Sequence, residues 1–115
     1  MESKNKVLIC SKFVITKASL KSVLEYSYET QFCEKLEECK NIVAVNQIEH
    51  LILDLDDQED VLNQIQQIKS SFPAIKTLII TKPKLSSTVE ELKKIGIEQF
   101  LFKPILKEEL LTIYK

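Results

Sequence analysis

His50-Leu51-Ile52-Leu53-Asp54-Leu55 is an apolar run of strand length that lacks clean apolar–polar alternation and carries a carboxylate near its end. Two other runs read the same way: Lys6-Val7-Leu8-Ile9-Cys10 upstream and Lys76-Thr77-Leu78-Ile79-Ile80-Thr81 downstream. A weaker one follows at Gln99-Phe100-Leu101-Phe102. Strands with one wet face alternate, whereas strands covered on both faces read as continuous apolar runs, as in the middle of a parallel sheet. A further strand is expected at Tyr28 to Cys33, where the apolar signal is weakest.

The segments between the runs read as helices. Val61, Leu62, Ile65 and Ile68 recur at helical spacing, and Pro73 closes that stretch. Ser87-Thr88-Val89-Glu90 matches a capping box that opens a helix through Leu92 and Ile95, with Gly96 at its end. Leu106, Leu110 and Ile113 form a final amphipathic stripe, Val14 to Leu24 suits a first helix, and Leu36 to Ile48 reads either way. Parallel strands require crossover connections, so this alternation of strand and helix implies an α/β fold with helices on both faces of a parallel sheet. In such sheets functional groups gather at the carboxyl ends of the strands.

The chain has 115 residues, which fits one domain spanning 1–115. Apolar residues make up 44% and charged residues 29%, an ordinary globular mix. No apolar run is long enough to span a membrane. Met1-Glu2-Ser3-Lys4 leads into a strand without a signal-peptide core, so a cytoplasmic location and no membrane partner are expected. The sixteen basic residues, set against seventeen acidic ones, are all lysines. Without arginine the chain lacks the bidentate reader of guanine, and no lysine-rich patch compensates, so no nucleic-acid partner is expected. Gly96 is the only glycine, which excludes a glycine-rich phosphate loop. Cys10, Cys33 and Cys39 are odd in number and lack Cys-x-x-Cys spacing. They read as free thiols in a reducing compartment rather than as zinc ligands.

At the expected strand ends stand Cys10-Ser11-Lys12, Asp54-Leu55-Asp56-Asp57, Thr81-Lys82-Pro83 and Lys103-Pro104. An aspartate, a hydroxyl and a lysine thus converge on one edge. The trio, together with Gly96-Ile97-Glu98-Gln99-Phe100-Leu101-Phe102-Lys103-Pro104, resembles the receiver domain of bacterial two-component response regulators over nearly the whole chain. The resemblance implies a flavodoxin-like (βα)5 three-layer sandwich with strand order 2-1-3-4-5 and a cis Lys103–Pro104 bond. It puts Asp54 at the phosphoacceptor position, Thr81 at the switch hydroxyl, Phe100 at the switch aromatic and Lys103 at the invariant lysine. In the family a magnesium ion, held by two acidic residues after the first strand and by the acceptor, neutralises the transferring phosphoryl group, while lysine and hydroxyl contact its remaining oxygens.

Three departures set this chain apart. Ser11 and Lys12 stand where the acidic pair belongs, and an ammonium repels magnesium, so metal binding is expected to be weak or lost. Lys82 replaces the small residue after the switch hydroxyl and would cover Asp54 if its side chain pointed inward. The loop Asp56-Asp57-Gln58-Glu59-Asp60 lacks the usual proline and glycine. The expectation is a degenerate receiver, not an enzyme, in which Lys12 pairs with Asp54 and does the metal's electrostatic work permanently. It would act as a protein–protein interaction module, or as a homodimer, through the fourth helix, fifth strand and fifth helix: Glu90 to Lys94, Phe100 and the outer face of Lys107 to Tyr114. A histidine kinase or an output domain following Lys115 is the implied partner.

Two other readings compete. One is a working receiver phosphorylated on Asp54 by a histidine kinase. The other takes Cys10-Ser11-Lys12-Phe13-Val14-Ile15-Thr16 as similar to the phosphocysteine loop of sugar-phosphotransferase IIB proteins, although Phe13, Val14 and Ile15 are bulky for a phosphate cradle. Duller readings attach to single residues: core or edge packing for Phe100 and Phe102, a solvated acidic loop for Asp56 to Asp60, a structural role for His50, and buried thiols for Cys33 and Cys39.

Overall fold

The computed structural model describes residues 4–83 and 86–114, with only the backbone of Ser86. The readings that involve Met1 to Ser3 and Lys115 lie outside the described residues. The strands are β1 (Asn5–Cys10), β2 (Tyr28–Cys33), β3 (His50–Asp54), β4 (Lys76–Thr81) and β5 (Gln99–Phe102). Between and after them run α1 (Val14–Leu24), α2 (Leu36–Asn46), α3 (Val61–Ser71), α4 (Ser86–Lys94) and α5 (Lys107–Ile113). All paired strands are parallel, in the order β2-β1-β3-β4-β5.

Strand parity divides the apolar residues between two cores. Leu8 and Cys10 of β1, Leu51 and Leu53 of β3 and Ile79 of β4 face α2, α3 and α4, which contribute Leu36, Cys39, Val43, Ile65, Ile68 and Leu92. Val7 and Ile9, Ile52, Leu78 and Ile80 face α1 and α5, which contribute Leu20, Leu24, Leu110 and Tyr114. Every residue of β3 is buried, which is why its sequence shows no alternation. β2, at the sheet edge, keeps only Cys33 buried, which explains its faint signal.

The helix between Leu36 and Ile48, ambiguous in sequence, forms because Leu36, Cys39 and Val43 recur on one turn-spaced face. Its first turn is closed by Glu38, whose Oε1 accepts the Lys35 amide at 3.0 Å. α4 already includes Ser86, so Ser87 lies inside the helix and is not its cap. α4 ends at Lys94, and the turn that closes it passes through Gly96, whose φ of +100° needs glycine and lets the Ile97 amide reach back to the Leu92 carbonyl at 3.1 Å. α5 begins only after Leu106, so the first residue of the expected stripe stands at the N-cap of the helix. The Lys103–Pro104 peptide is cis.

Candidate functional site

The carboxyl ends of β1, β3, β4 and β5 bring Ser11, Asp54, Asp56, Thr81 and Lys103 together. Asp54 is fully buried, and both its oxygens are engaged. Ser11 Oγ donates to Asp54 Oδ2 at 2.8 Å, and Lys103 Nζ donates to the same oxygen at 3.0 Å. Asp54 Oδ1 accepts the backbone amide of Asp56 at 3.1 Å.

Asp56 is the second carboxylate of the pocket. Its Oδ1 accepts the Thr81 hydroxyl at 3.3 Å and the Lys82 amide at 3.4 Å. Its Oδ2 lies 2.8 Å from Lys103 Nζ, at an angle that makes the contact an ion pair rather than an aligned hydrogen bond. Lys103 therefore bridges two carboxylates, and its ammonium also sits 4.5 Å from the centre of the Phe13 ring. Burial works against charge on both Asp56 and Lys103, but their mutual contacts outweigh it. The Asp56 carboxyl is held below the usual carboxylate range, and the Lys103 ammonium is raised above the usual lysine value. Two carboxylates against one ammonium leave the pocket one negative charge in excess.

The residues singled out in sequence divide into two groups. Asp54, Thr81, Lys103 and Ser11 meet in the pocket. Lys12 does not: it is exposed and lines a shallow groove with Lys35, Gln58, Glu59 and Asp60. The expected Lys12–Asp54 pair is therefore absent, and Lys103 supplies the positive charge instead. The reason is parity. Ser11 continues the side of Val7 and Ile9, whereas Lys12 continues the side of Leu8 and Cys10, towards α2. Lys82 is also exposed and contributes only its backbone amide, so its side chain does not cover Asp54. Phe100 is half-buried against the core beneath α4, with Lys93 Nζ 5.9 Å from its ring centre. Cys10 is the last residue of β1 and fully buried, and its thiol is pushed up in pKa, first by hydrogen bonding with Cys33 and Cys39 and then by burial. Neither the position nor the protonation suits a phosphate-accepting loop.

Asp56 is the residue that sequence reading undervalued, since it stood there only as part of a solvated acidic loop. Its spacing two residues after Asp54 was a usable signal, because that spacing returns a side chain to the same side of an extended chain. The loop beyond it manages without glycine by placing Asp57 (φ 62°) and Asp60 (φ 52°) in the left-handed region, which aspartate tolerates better than most residues.

No curated protein sequence matches this chain. Among solved structures, a response regulator from Thermotoga maritima superposes with a TM-score of 0.84 at 21% identity, covering 96% of this chain and 93% of that one. A CheY-like receiver domain protein from Methanospirillum hungatei JF-1 gives 0.86 at 18% identity, covering 96% and 90%. The chemotaxis response regulator CheY4 of Vibrio cholerae gives 0.83 at 18% identity, covering 96% of each. At these identities the likeness establishes the flavodoxin-like fold. The family model for the response regulator receiver domain matches residues 7–115, and the chain belongs to that family.

Proposed function

We propose that this receiver is degenerate and works as a protein–protein interaction module whose pocket is satisfied by its own side chains. The observation that carries the reading is Asp56. Its carboxylate engages Lys103 and Thr81, the two side chains that the family uses on phosphoryl oxygens. The donor set after β1 points the same way. Ser11 offers a neutral hydroxyl already committed to Asp54, and Lys12 is an exposed ammonium, so the residues present do not fit magnesium. Receiver domains act through other proteins, such as kinases and output domains. Here the partner surface is α4, β5 and α5, where Phe102, Leu106 and Leu111 are exposed apolar residues.

A working phosphoacceptor is the second reading, favoured by the close Asp54–Lys103 pair and by the excess negative charge that could draw a cation. Incubation with acetyl phosphate and magnesium, followed by intact-mass measurement, separates the two. The wild-type chain is expected to stay unmodified. A stoichiometric phosphoryl adduct that disappears in Asp54→Ala would establish the second reading instead.

A further inference from the structure

Away from the carboxylate pocket, the three cysteines converge. Cys10 and Cys33 are register partners at the carboxyl ends of β1 and β2, and Cys39 stands on the first turn of α2 above them. Their sulfurs all lie within 4.8 Å of one another, and those of Cys33 and Cys39 are 3.5 Å apart. We propose that Cys10, Cys33 and Cys39 form a three-sulfur site for one copper(I) ion.

Three sulfurs set around one ion at about 2.3 Å stand about 4 Å apart in a planar arrangement. The sulfurs therefore need only small movements to close on an ion. Among the described residues, no histidine or carboxylate joins the cluster. Structural zinc takes four protein ligands and catalytic zinc takes three plus water. This cluster offers no fourth side chain, and burial of all three cysteines keeps water out. Soft thiolates in a three-coordinate setting select copper(I) over harder or four-coordinate ions. Plain packing of small apolar side chains accounts for the burial of each cysteine, but it does not require all three sulfurs to meet.

As the ion enters, each coordinating thiol exchanges its proton for the metal, and that proton goes to solvent. Copper remains in the +1 state, so no electron is transferred. Lys17, its side chain 20% exposed, partly offsets the negative charge of the complex.

The test is anaerobic titration of the whole chain with copper(I) against the chromophoric chelator bicinchoninate, joined to X-ray absorption at the copper edge. Expected are one equivalent drawn from the chelator and a shell of three sulfurs. Each of Cys10→Ala, Cys33→Ala and Cys39→Ala should lose at least about 100-fold in affinity. Failure to draw copper, a shell of two sulfurs, a shell containing nitrogen or oxygen, or unchanged affinity in any single variant overturns the proposal. So does zinc displacing copper at equal concentration. Circular dichroism checks each variant's fold, and if one unfolds, the sulfur count of the wild-type complex still decides.

Discussion

At the carboxyl end of β3, Asp54 is fully buried and bonded on both oxygens. At the amino end of the same strand, His50 is 9% exposed, and its Nδ1 has no partner among the described residues. Asp54 survives burial because Lys103 answers its charge. His50 survives because an imidazole can stay neutral: it packs edge-on against Tyr28 at 5.3 Å and Tyr114 at 5.6 Å between ring centres. Burial and the nearby Lys76 lower its pKa, with Glu49 opposing weakly. One strand thus buries a charged group by pairing it and a titratable group by discharging it.

Removing the pairing should have the largest effect. Lys103→Ala leaves two buried carboxylates facing each other, and a loss of about 3 kcal/mol is expected in urea unfolding at neutral pH. The pH dependence follows from the two shifts. The lowered Asp56 contributes stability that is complete above the ordinary carboxylate value of 3.8 and is lost as pH falls through its lower folded value. The raised Lys103 contributes stability that is complete below 10.5 and is lost as pH rises through its higher folded value. Between those limits the contribution of the pair should be flat in the wild type, whereas in Lys103→Ala one of the two facing carboxyls takes up a proton more readily, so the loss should shrink on acidification.

His50 should behave in the opposite manner, with a smaller effect. Because its folded pKa lies below 6.5, the unfolded chain takes up a proton that the folded chain refuses, and stability falls on acidification from that value. His50→Phe should flatten this slope while changing stability at neutral pH by no more than about 1.5 kcal/mol. A slope that persists unchanged in His50→Phe would place the acid sensitivity elsewhere. The smallest effect is expected for Lys12→Ala, within about 0.5 kcal/mol, because the exposed ammonium meets neither carboxylate. A loss comparable to that of Lys103→Ala would return Lys12 to the pocket.

Sequence made the sheet legible because β1, β3 and β4 are buried on both faces and therefore read as unbroken apolar runs. It located Asp54, Thr81 and Lys103 because strand ends in parallel sheets converge whatever lies between them. It misjudged Lys12 because position along the chain was weighed and strand parity was not. The clustering of Cys10, Cys33 and Cys39 was illegible for a different reason: it depends on the β1–β2 register and on where α2 crosses, and neither is written in local spacing. Asp56 fell between these cases, visible as an acid but not as the partner of Lys103 and Thr81.

In the proposed degenerate receiver, Asp56 fills the place a phosphoryl group would take. Titration with beryllofluoride and magnesium, followed at the Thr81 amide by NMR, tests it in the wild type and in Asp56→Asn. The expected result is an unmoved Thr81 signal in the wild type and a magnesium-independent response in Asp56→Asn, where Lys103 is released from its second carboxylate and supplies the positive charge. Saturable wild-type binding that shifts Thr81 and vanishes in Asp54→Ala would contradict the account.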